Sequence, residues 1–258
     1  MKLYIRYLSL LLKSQMQHKA SFFMSLIGQG LTSLTTLIGI VFMFSRFDQV
    51  KGFTFSEVLL CFSSVLMAFS LAECFARGFD TFSKMLANGE FDRIMVRPRA
   101  LMFQVLAQKA DFARLGRAIE AAIVFGYAIA KCSVSWTLPK ALVLAEMVLC
   151  GAAVFSGVFV IYAALCFFTT EGLEFLNIFT DGGREFGRYP LGVYGDTVLR
   201  IFTFVVPLAL VQYYPLCYIL DKGAPDIAPF MPMISLWFLL PCYALWRVGL
   251  KHYRSTGS

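Results

Sequence analysis

The sequence contains a long apolar stretch, from Ser21 to Ser45, that carries no charged side chain. A helix rises about 1.5 Å per residue, so a stretch of this length crosses the roughly 30 Å hydrocarbon core of a bilayer with some tilt. The whole chain has the same character, since 59% of its 258 residues are hydrophobic and 15% are charged. Because soluble domains carry about 25% charged residues, the sequence predicts an integral membrane protein.

We predict an all-α fold in which a single transmembrane domain, residues 1–258, contains six membrane-spanning helices. Residues 1–20 place basic and apolar side chains on opposite sides, which is typical of a helix lying in the membrane interface. Two polar connections, over residues 75–118 and 169–197, follow the second and fourth spans. The predicted spans lie near residues 21–45, 58–74, 119–136, 141–168, 198–220 and 228–248.

The distribution of basic residues predicts the orientation of these helices. If both termini lie on one side of the membrane, the segments on that side hold 18 of the 23 Lys and Arg residues. Basic segments stay on the cytoplasmic side, so both termini and the 75–118 connection are predicted to be cytoplasmic. The net charge of +7 reflects this asymmetry, and we therefore do not interpret it as a sign of nucleic-acid binding.

The motifs of a catalytic protein are missing from the sequence. No G-x-x-x-x-G-K-[ST] phosphate-binding loop occurs, so we do not expect this chain to bind and hydrolyse ATP by itself. The seven cysteines lie within or beside the predicted spans without a C-x-x-C pair, which favours a packing role over disulfides or metal binding. The run from Asp181 to Glu185 is typical of a turn. We expect no catalytic residue, metal site or cofactor in this chain.

The fourth predicted span carries one unusual carboxylate, Glu146. An ionised side chain at membrane depth is costly unless it is paired or hydrated. Glu146 is either an intramembrane contact for a substrate or ion, or a residue with a polar partner or close to the outer interface. The same span has small residues at Gly151, Ala153 and Gly157, which allow close helix packing within the subunit or against a second one.

Prolines interrupt the last two predicted spans. A proline inside a helix removes a backbone donor and clashes with the preceding turn, so we expect kinks or broken turns at these positions. Such bends are either packing features or the walls of a pathway. The residues are Pro207 and Pro215 in the fifth span, and Pro232 and Pro241 in the sixth.

The first polar connection contains a short predicted helix from Glu90 to Val96, after a turn or N-cap at Asn88-Gly89. Carboxylates occupy its first turn, where negative charge suits the helix dipole, and the proline after it ends the helix. Phe91, Ile94 and Met95 share one face and form an apolar knob bordered by charges. The helix either lies on the inner leaflet or fits a cytoplasmic partner.

The run Gly89-Glu90-Phe91-Asp92-Arg93-Ile94-Met95-Val96-Arg97-Pro98 resembles the G-E-x-D-x-x-L-x-R-P motif of a bacterial family of ABC transporter permeases in the type-2 exporter superfamily. Two further segments resemble that family: Asp181–Glu185 with Tyr189-Pro190, and the closing Tyr253–Ser258. The Met95-Val96 pair stands where leucines are common, which keeps the apolar character. By this resemblance the ATPase-coupling residues are Gly89, Glu90, Phe91, Asp92, Arg93, Ile94, Met95, Arg97 and Pro98.

The resemblance implies the permease subunit of an ATP-driven exporter in the bacterial cytoplasmic membrane. Its partners are two cytoplasmic ATPase subunits, which bind ATP and Mg²⁺, a second identical or related permease, and membrane lipid. The cargo is unknown, with a weak preference for a hydrophobic or amphiphilic molecule. The alternative is a stand-alone ion-coupled carrier or a membrane scaffold, for which an inverted repeat or paired intramembrane charges would be expected.

Overall fold

The computed structural model describes residues 2–169 and 177–253, and this part of the chain is almost entirely helical. One two-stranded antiparallel hairpin, β1 (Gln49–Val50) with β2 (Phe53–Thr54), adds to the predicted all-α fold. The helices are α1 (Lys2–Gln15), α2 (Lys19–Phe44), α3 (Phe55–Phe75), α4 (Arg77–Asp80), α5 (Phe82–Ala87), α6 (Glu90–Met95), α7 (Leu101–Gln108), α8 (Leu115–Lys131), α9 (Leu138–Leu165), α10 (Asn177–Phe186), α11 (Asp196–Phe204), α12 (Leu208–Val211), α13 (Tyr213–Ile219), α14 (Met231–Ser235) and α15 (Leu239–His252).

Four helical segments of the described chain are long and apolar enough to cross a membrane: Leu3–Phe44, Phe55–Phe75, Leu138–Leu165 and Ala228–His252. Asp196–Ile219 makes a fifth span if its two bent parts are counted together. The protein is therefore a multi-pass membrane protein. The remaining predicted span corresponds to α8, which has 17 residues and begins earlier than expected, so six spans stay a prediction.

The β-hairpin joins α2 to α3 through a tight turn. Lys51 and Gly52 both have positive φ, 45° and 82°, as the central residues of a type I′ hairpin turn do. The following helix begins with a capping box, in which the backbone N–H of Thr54 donates to Glu57 at 2.7 Å. We call this part of the bundle the hairpin end.

The opposite end of the bundle, called the α6 end, holds α4 to α7 and both described chain ends. The Tyr4 hydroxyl of α1 donates to the Phe75 carbonyl at 3.4 Å, and the Tyr253 hydroxyl donates to Asp92 at 2.8 Å. The predicted coupling segment and both described chain ends therefore lie on the same side of the fold. That this side is cytoplasmic stays a prediction.

The N-terminal helix is anchored to the α6 end. Leu8, Leu11 and Leu12 pack beside Cys74 and Phe112, and Gln15 hydrogen-bonds the backbone of residues 110 and 112. This contact puts the apolar side of α1 against the protein. Its position at a membrane interface is not tested.

Helix α3 lies at the centre of the bundle, between α8 and α9, and most of its residues are buried. Its Phe69 ring meets Phe155 of α9 edge-on at 5.1 Å. Towards the hairpin end, Val58 and Leu60 lie in a second apolar cluster with Leu216 of α13. All seven cysteines are buried, as the predicted packing role requires.

The small residues of α9 serve packing within the subunit. A Cβ on Gly151 would come within 3.0 Å of Ala68, and one on Gly157 within 3.1 Å of Leu239. Both distances are too short for an ordinary contact, so these glycines allow α3 and α15 to approach α9 closely.

The predicted turn from Asp181 to Glu185 is wrong, because these residues belong to helix α10. Glycines there were interpreted as turn formers, but they permit close packing. A Cβ on Gly183 would meet Leu208, and a Cβ on Gly187, just after the helix, would collide with Val65 of α3. Glu171 and Glu174 of the same predicted connection, and Arg254–Ser258 at the chain end, lie outside the described residues.

The segment after α10 packs inside the bundle through the buried amide of Gln212. Its Nε2 donates to the Tyr189 carbonyl at 2.8 Å and to the Gly187 carbonyl at 3.3 Å, and its Oε1 accepts from the Leu191 N–H at 3.3 Å. Nε2 also lies 2.8 Å from Cys61 of α3. This part of the predicted second connection is thus held against the central helix.

The prolines act much as predicted. Pro207 stands at the break where the chain turns by 90° between Asp196–Phe204 and Leu208–Ile219. The last span is also irregular, since 3-10 turns at Ala228–Phe230 and Leu236–Phe238 precede Pro232 and Pro241. Pro215 sits in the first turn of α13, where the missing N–H is tolerated.

Candidate functional site

Helix α6 is the predicted short helix of the first polar connection. Gly89 precedes it with φ of 66°, a left-handed conformation that favours glycine, and Glu90 and Asp92 lie in its first turn. The helix ends at Met95, before the Arg97-Pro98 step. The charge and turn signals in the sequence therefore located this element to within one residue.

The inner face of α6 is part of an aromatic cluster. The Phe91 ring is completely buried and lies 5.1 Å from Phe82, 5.5 Å from Phe167 and 5.1 Å from Tyr253. Trp246 lies 5.1 Å from Phe167 and 5.3 Å from Phe82. Most of these rings meet edge-on or tilted, which is the favoured arrangement of aromatic side chains. We call these five residues the aromatic hub.

The hub joins α6 to the ends of two long helices. Phe167 follows α9 directly, whereas Trp246 lies in α15 and Tyr253 follows it. The Tyr253 hydroxyl donates to Asp92 of α6. Burial raises the pKa of Tyr253 to about 12, and the bond to Asp92 adds to this, so the hydroxyl keeps its proton at neutral pH. The hub therefore packs α6 against the ends of α9 and α15.

The predicted apolar knob of Phe91, Ile94 and Met95 is wrong for its first two members. Phe91 and Ile94 face the interior of this chain, and of the three only Met95 is exposed. The spacing correctly placed Phe91 and Ile94 on one face, whereas Met95 lies outside it. The spacing could not tell whether that face packs on the protein's own core or on a partner. The coupling role of these residues stays a prediction.

The outward surface of α6 combines apolar and basic side chains. Val96 is 84% exposed and Met95 39% exposed, and Arg93 and Arg97 beside them are also exposed. We call these four residues the outer surface of α6. Large exposed apolar residues rimmed by charge are typical of contact sites for other molecules.

A buried ion-pair cluster lies where α3 meets α8. Glu73 is 4% exposed and forms ion pairs with Arg77 at 3.4 Å, with Arg114 at 3.0 Å and with Arg117. Asp111 binds Arg114 at 3.1 Å. A charge buried without a partner is strongly destabilising, so these pairs hold the two helices together. Arg114 and Arg117 come from another segment of the chain, so the stretch of sequence around Glu73 does not reveal these pairings.

A second charged residue of α8, Glu120, also lies in the interior. Glu120 receives a hydrogen bond from Ser33 of α2, and Gly116 lets the two helices touch, since a Cβ there would collide with the Leu26 carbonyl. Within the described chain, Arg117 Nε and Glu120 Oε1 have no hydrogen-bond partner. The signal that could have found them is the pair of charges three residues apart at the start of an apolar helix.

A polar cavity of about 160 Å³ opens beside this cluster. It is lined by hydroxyl groups from the middle of α2, by apolar residues of α3, and by arginines from α8, α10 and the segment after α10. We call it the arginine cavity. Its polar lining residues include Thr32, Ser33, Thr36, Arg117, Arg184 and Arg188.

Glu146 is half-buried on α9 and makes no hydrogen bond or ion pair with the described residues. It lies in neither the aromatic hub nor the arginine cavity. Both interpretations of this carboxylate therefore stay open. Across residues 2–169 and 177–253, no group of three His, Cys, Asp or Glu residues is arranged to hold a metal ion.

The comparisons with known proteins identify the family. A family model described as "ABC-2 family transporter protein" matches residues 31–257, which is nearly the whole chain. No curated protein and no solved structure matched. The match includes α6, the aromatic hub, the ion-pair cluster and the arginine cavity. Together with its apolar membrane-crossing helices, it shows that the chain belongs to the ABC-2 transporter family and is a multi-pass permease of an ABC transporter.

Proposed function

We propose that this permease is the transmembrane subunit of an ATP-driven exporter, and that α6 receives movement from a partner ATPase. The observation that carries the proposal is the aromatic hub, which fixes the inner face of α6 to the ends of α9 and α15. A two-turn helix held only by loops could move without moving the rest of the bundle. A helix packed against two long helices transmits its movement to them, because a packed core is stiff.

The proposed cycle begins when ATP binding closes two ATPase subunits. Nucleotide binds the closed pair better than the open pair, and this difference in affinity drives the change. The closing subunits press on the outer surface of α6, and the hub carries the movement to α9 and α15. A second permease, identical or related, completes the pathway, and its helices alternate with these between inward-open and outward-open arrangements. ATP and Mg²⁺ bind in the ATPase subunits.

The outer surface of α6 indicates the chemistry of the ATPase cleft. Met95 and Val96 require an apolar floor, and Arg93 and Arg97 favour an acidic rim. Truncating a buried apolar anchor of an interface has a larger effect than truncating a charge at its rim. Val96, the most exposed apolar residue of the segment, is therefore the first residue to change.

Affinity purification from native membranes in a mild detergent tests this surface. We expect the tagged permease to bring down a protein that hydrolyses Mg·ATP, and Val96→Asp to reduce the recovered hydrolysis at least tenfold. Lys84→Asp, which also introduces an aspartate at an exposed position but on α5, is the control and should retain it. Failure of the wild-type permease to recover any ATP hydrolysis, or equal losses in both variants, would contradict the proposal.

The stand-alone carrier remains the competing proposal, because the structure contains buried charges of the kind expected for it. Glu73 with its arginines and Glu120 beside Ser33 are the relevant groups. These groups also connect α2, α3 and α8, however, so a role in holding the helices together explains them equally well. Transport that survives ATP depletion and stops when the ion gradient is dissipated would favour the carrier.

A further inference from the structure

The arginine cavity has the composition of an anion-binding site. Its walls contribute three guanidinium groups, from Arg117, Arg184 and Arg188, against one carboxylate, Glu185. Threonine and serine hydroxyls of α2 line the facing wall and can donate further hydrogen bonds. Guanidinium and hydroxyl donors together are the usual ligands of phosphate and carboxylate groups in proteins.

A second observation points to a ligand. Arg117 is 97% buried, since 3% of its surface is exposed, yet its Nε has no hydrogen-bond partner among the described residues. Buried polar atoms are nearly always bonded, so this unpaired donor, on a residue that lines the cavity, calls for an acceptor. A phosphate group in the cavity offers such an acceptor.

The other two arginines can exchange their present partners. Arg184 binds Glu185 at 3.1 Å and Asp181 at 3.6 Å, and Arg188 also pairs with Glu185. The side chains of Asp181 and Glu185 are 57% and 40% exposed, so solvent weakens these pairs. An anion inside the cavity would compete for the same guanidinium groups away from water. The Gln212 amide holds the backbone on either side of Arg188 in place.

The position of the cavity indicates what carries the anion. It lies halfway along α2 and α3, and the outer face of α2 next to it is apolar, with Leu31, Leu34 and Ile38 exposed. Only 11% of the most apolar part of the Leu3–Phe44 helix is buried. We propose that the arginine cavity binds the phosphate-type headgroup of an amphiphile whose apolar chain lies along this face of α2. The inference does not depend on an ATPase partner.

Binding measurements on the purified permease, in an uncharged detergent and without any ATPase, test the proposal. The probes are dodecyl phosphate and inorganic phosphate, and the readout is the dissociation constant from calorimetric titration. We expect dodecyl phosphate to bind, and Arg188→Gln and Arg184→Gln to weaken it at least tenfold, because each removes a charge-assisted hydrogen bond. Thr36→Val keeps the shape of the wall and should weaken binding about threefold.

A matched control separates the cavity from general surface charge. Arg247→Gln removes an arginine of α15 that lies outside the cavity, and it should leave the dissociation constant unchanged. If Arg184→Gln or Arg188→Gln fails to fold, Thr36→Val still decides, because Thr36 makes no hydrogen bond that the fold requires.

Each outcome has a clear meaning. Binding of dodecyl phosphate that depends on the cavity residues, with no competition from inorganic phosphate, supports the amphiphile. Equal binding of inorganic phosphate by the same residues overturns the amphiphile and leaves a free anion as the ligand. Binding that is absent, or that the cavity variants leave unchanged, overturns the site altogether. None of these results bears on ATPase recovery through α6, so the two proposals fail separately.

Discussion

The aromatic hub and the Glu73 ion-pair cluster both tie helices together, but by opposite chemistry. The hub joins α6 to α9 and α15 through aromatic rings packed edge to face. The cluster joins Glu73 of α3 to Arg117 of α8, to Arg77 of α4 and to Arg114 in the turn before α8. Apolar packing has no directional requirement, whereas buried charges hold only while every partner is present.

This difference separates the two proposed roles. The packed rings of the hub form a stiff junction, so they suit the transmission of movement. The ion-pair region keeps unpaired polar atoms on Arg117 and Glu120 and borders a cavity, so it suits recognition. The two proposals therefore place the transmission of movement and the binding of a ligand in different layers of one bundle, and variants should affect them independently.

The largest expected effect is loss of the ion-pair cluster. Glu73→Ala leaves the buried Arg117 without its carboxylate, and removing one partner of a buried pair costs about 3–5 kcal/mol in the free energy of unfolding. Thermal or denaturant unfolding of the purified protein in detergent measures this loss. Asp80→Asn, which removes a more exposed partner of Arg77 at 2.6 Å, is the control and should cost about 1 kcal/mol or less. Equal losses in the two variants would show that Glu73 is no structural tie.

Much of the α-helical fold follows from the sequence, because a bilayer admits few structures and long apolar stretches identify themselves. Ser21–Ser45 and residues 58–74 correspond to α2 and α3 within a few residues. The break at Pro207 also follows from local chemistry. These features depend on short-range backbone rules, which a single sequence contains in full.

The parts that could not be predicted depend on contacts between distant residues. Glycines 183 and 187 have the composition of a turn, and only the nearby Leu208 and Val65 side chains explain why they pack in and after a helix. The burial of Phe91 requires Phe167 and Tyr253, far along the chain. Likewise, Arg117 and Glu120 gain their meaning from Glu73 and Ser33 on other helices.

We expect an intermediate effect when Phe91 of the hub is replaced by a smaller apolar side chain. Phe91→Leu keeps an apolar side chain, so the free energy of unfolding should fall by only about 1–1.5 kcal/mol. The transmission of movement from α6 should be reduced more than the free energy of unfolding, because the edge-to-face contacts with Phe167 and Tyr253 are lost. Leu240→Cys places a reporter thiol on the exposed face of α15. In the complex that carries no other substitution, Mg·ATP should change the rate at which a maleimide labels this thiol.

In Phe91→Leu that nucleotide-dependent change should shrink at least threefold while the ATPase stays bound. Phe44→Leu is the control, since it loosens an aromatic pair with Phe55 at 5.5 Å, away from the hub. If both variants, or neither, reduce the labelling change, then the hub does not transmit movement from α6. The hub and the ion-pair cluster would then both be structural contacts only.

The smallest effect tests the single polar bond of the hub. Tyr253→Phe keeps the ring and removes the hydroxyl that donates to Asp92, so it should lower the free energy of unfolding by about 1 kcal/mol.

The pKa of Tyr253 is raised to about 12, mainly by burial, whereas an unfolded tyrosine loses its proton near pH 10. The folded protein therefore keeps a proton that the unfolded chain releases, and its stability falls as the pH rises from about 10 to 12. Thermal unfolding between pH 9 and pH 11 should show stability falling with pH in the unaltered protein and in Tyr7→Phe. The slope of stability against pH should be weaker in Tyr253→Phe. Identical slopes in all three would mean that the Tyr253 hydroxyl is neither buried nor bonded to Asp92, and that only the tyrosine ring joins α6 to the chain end.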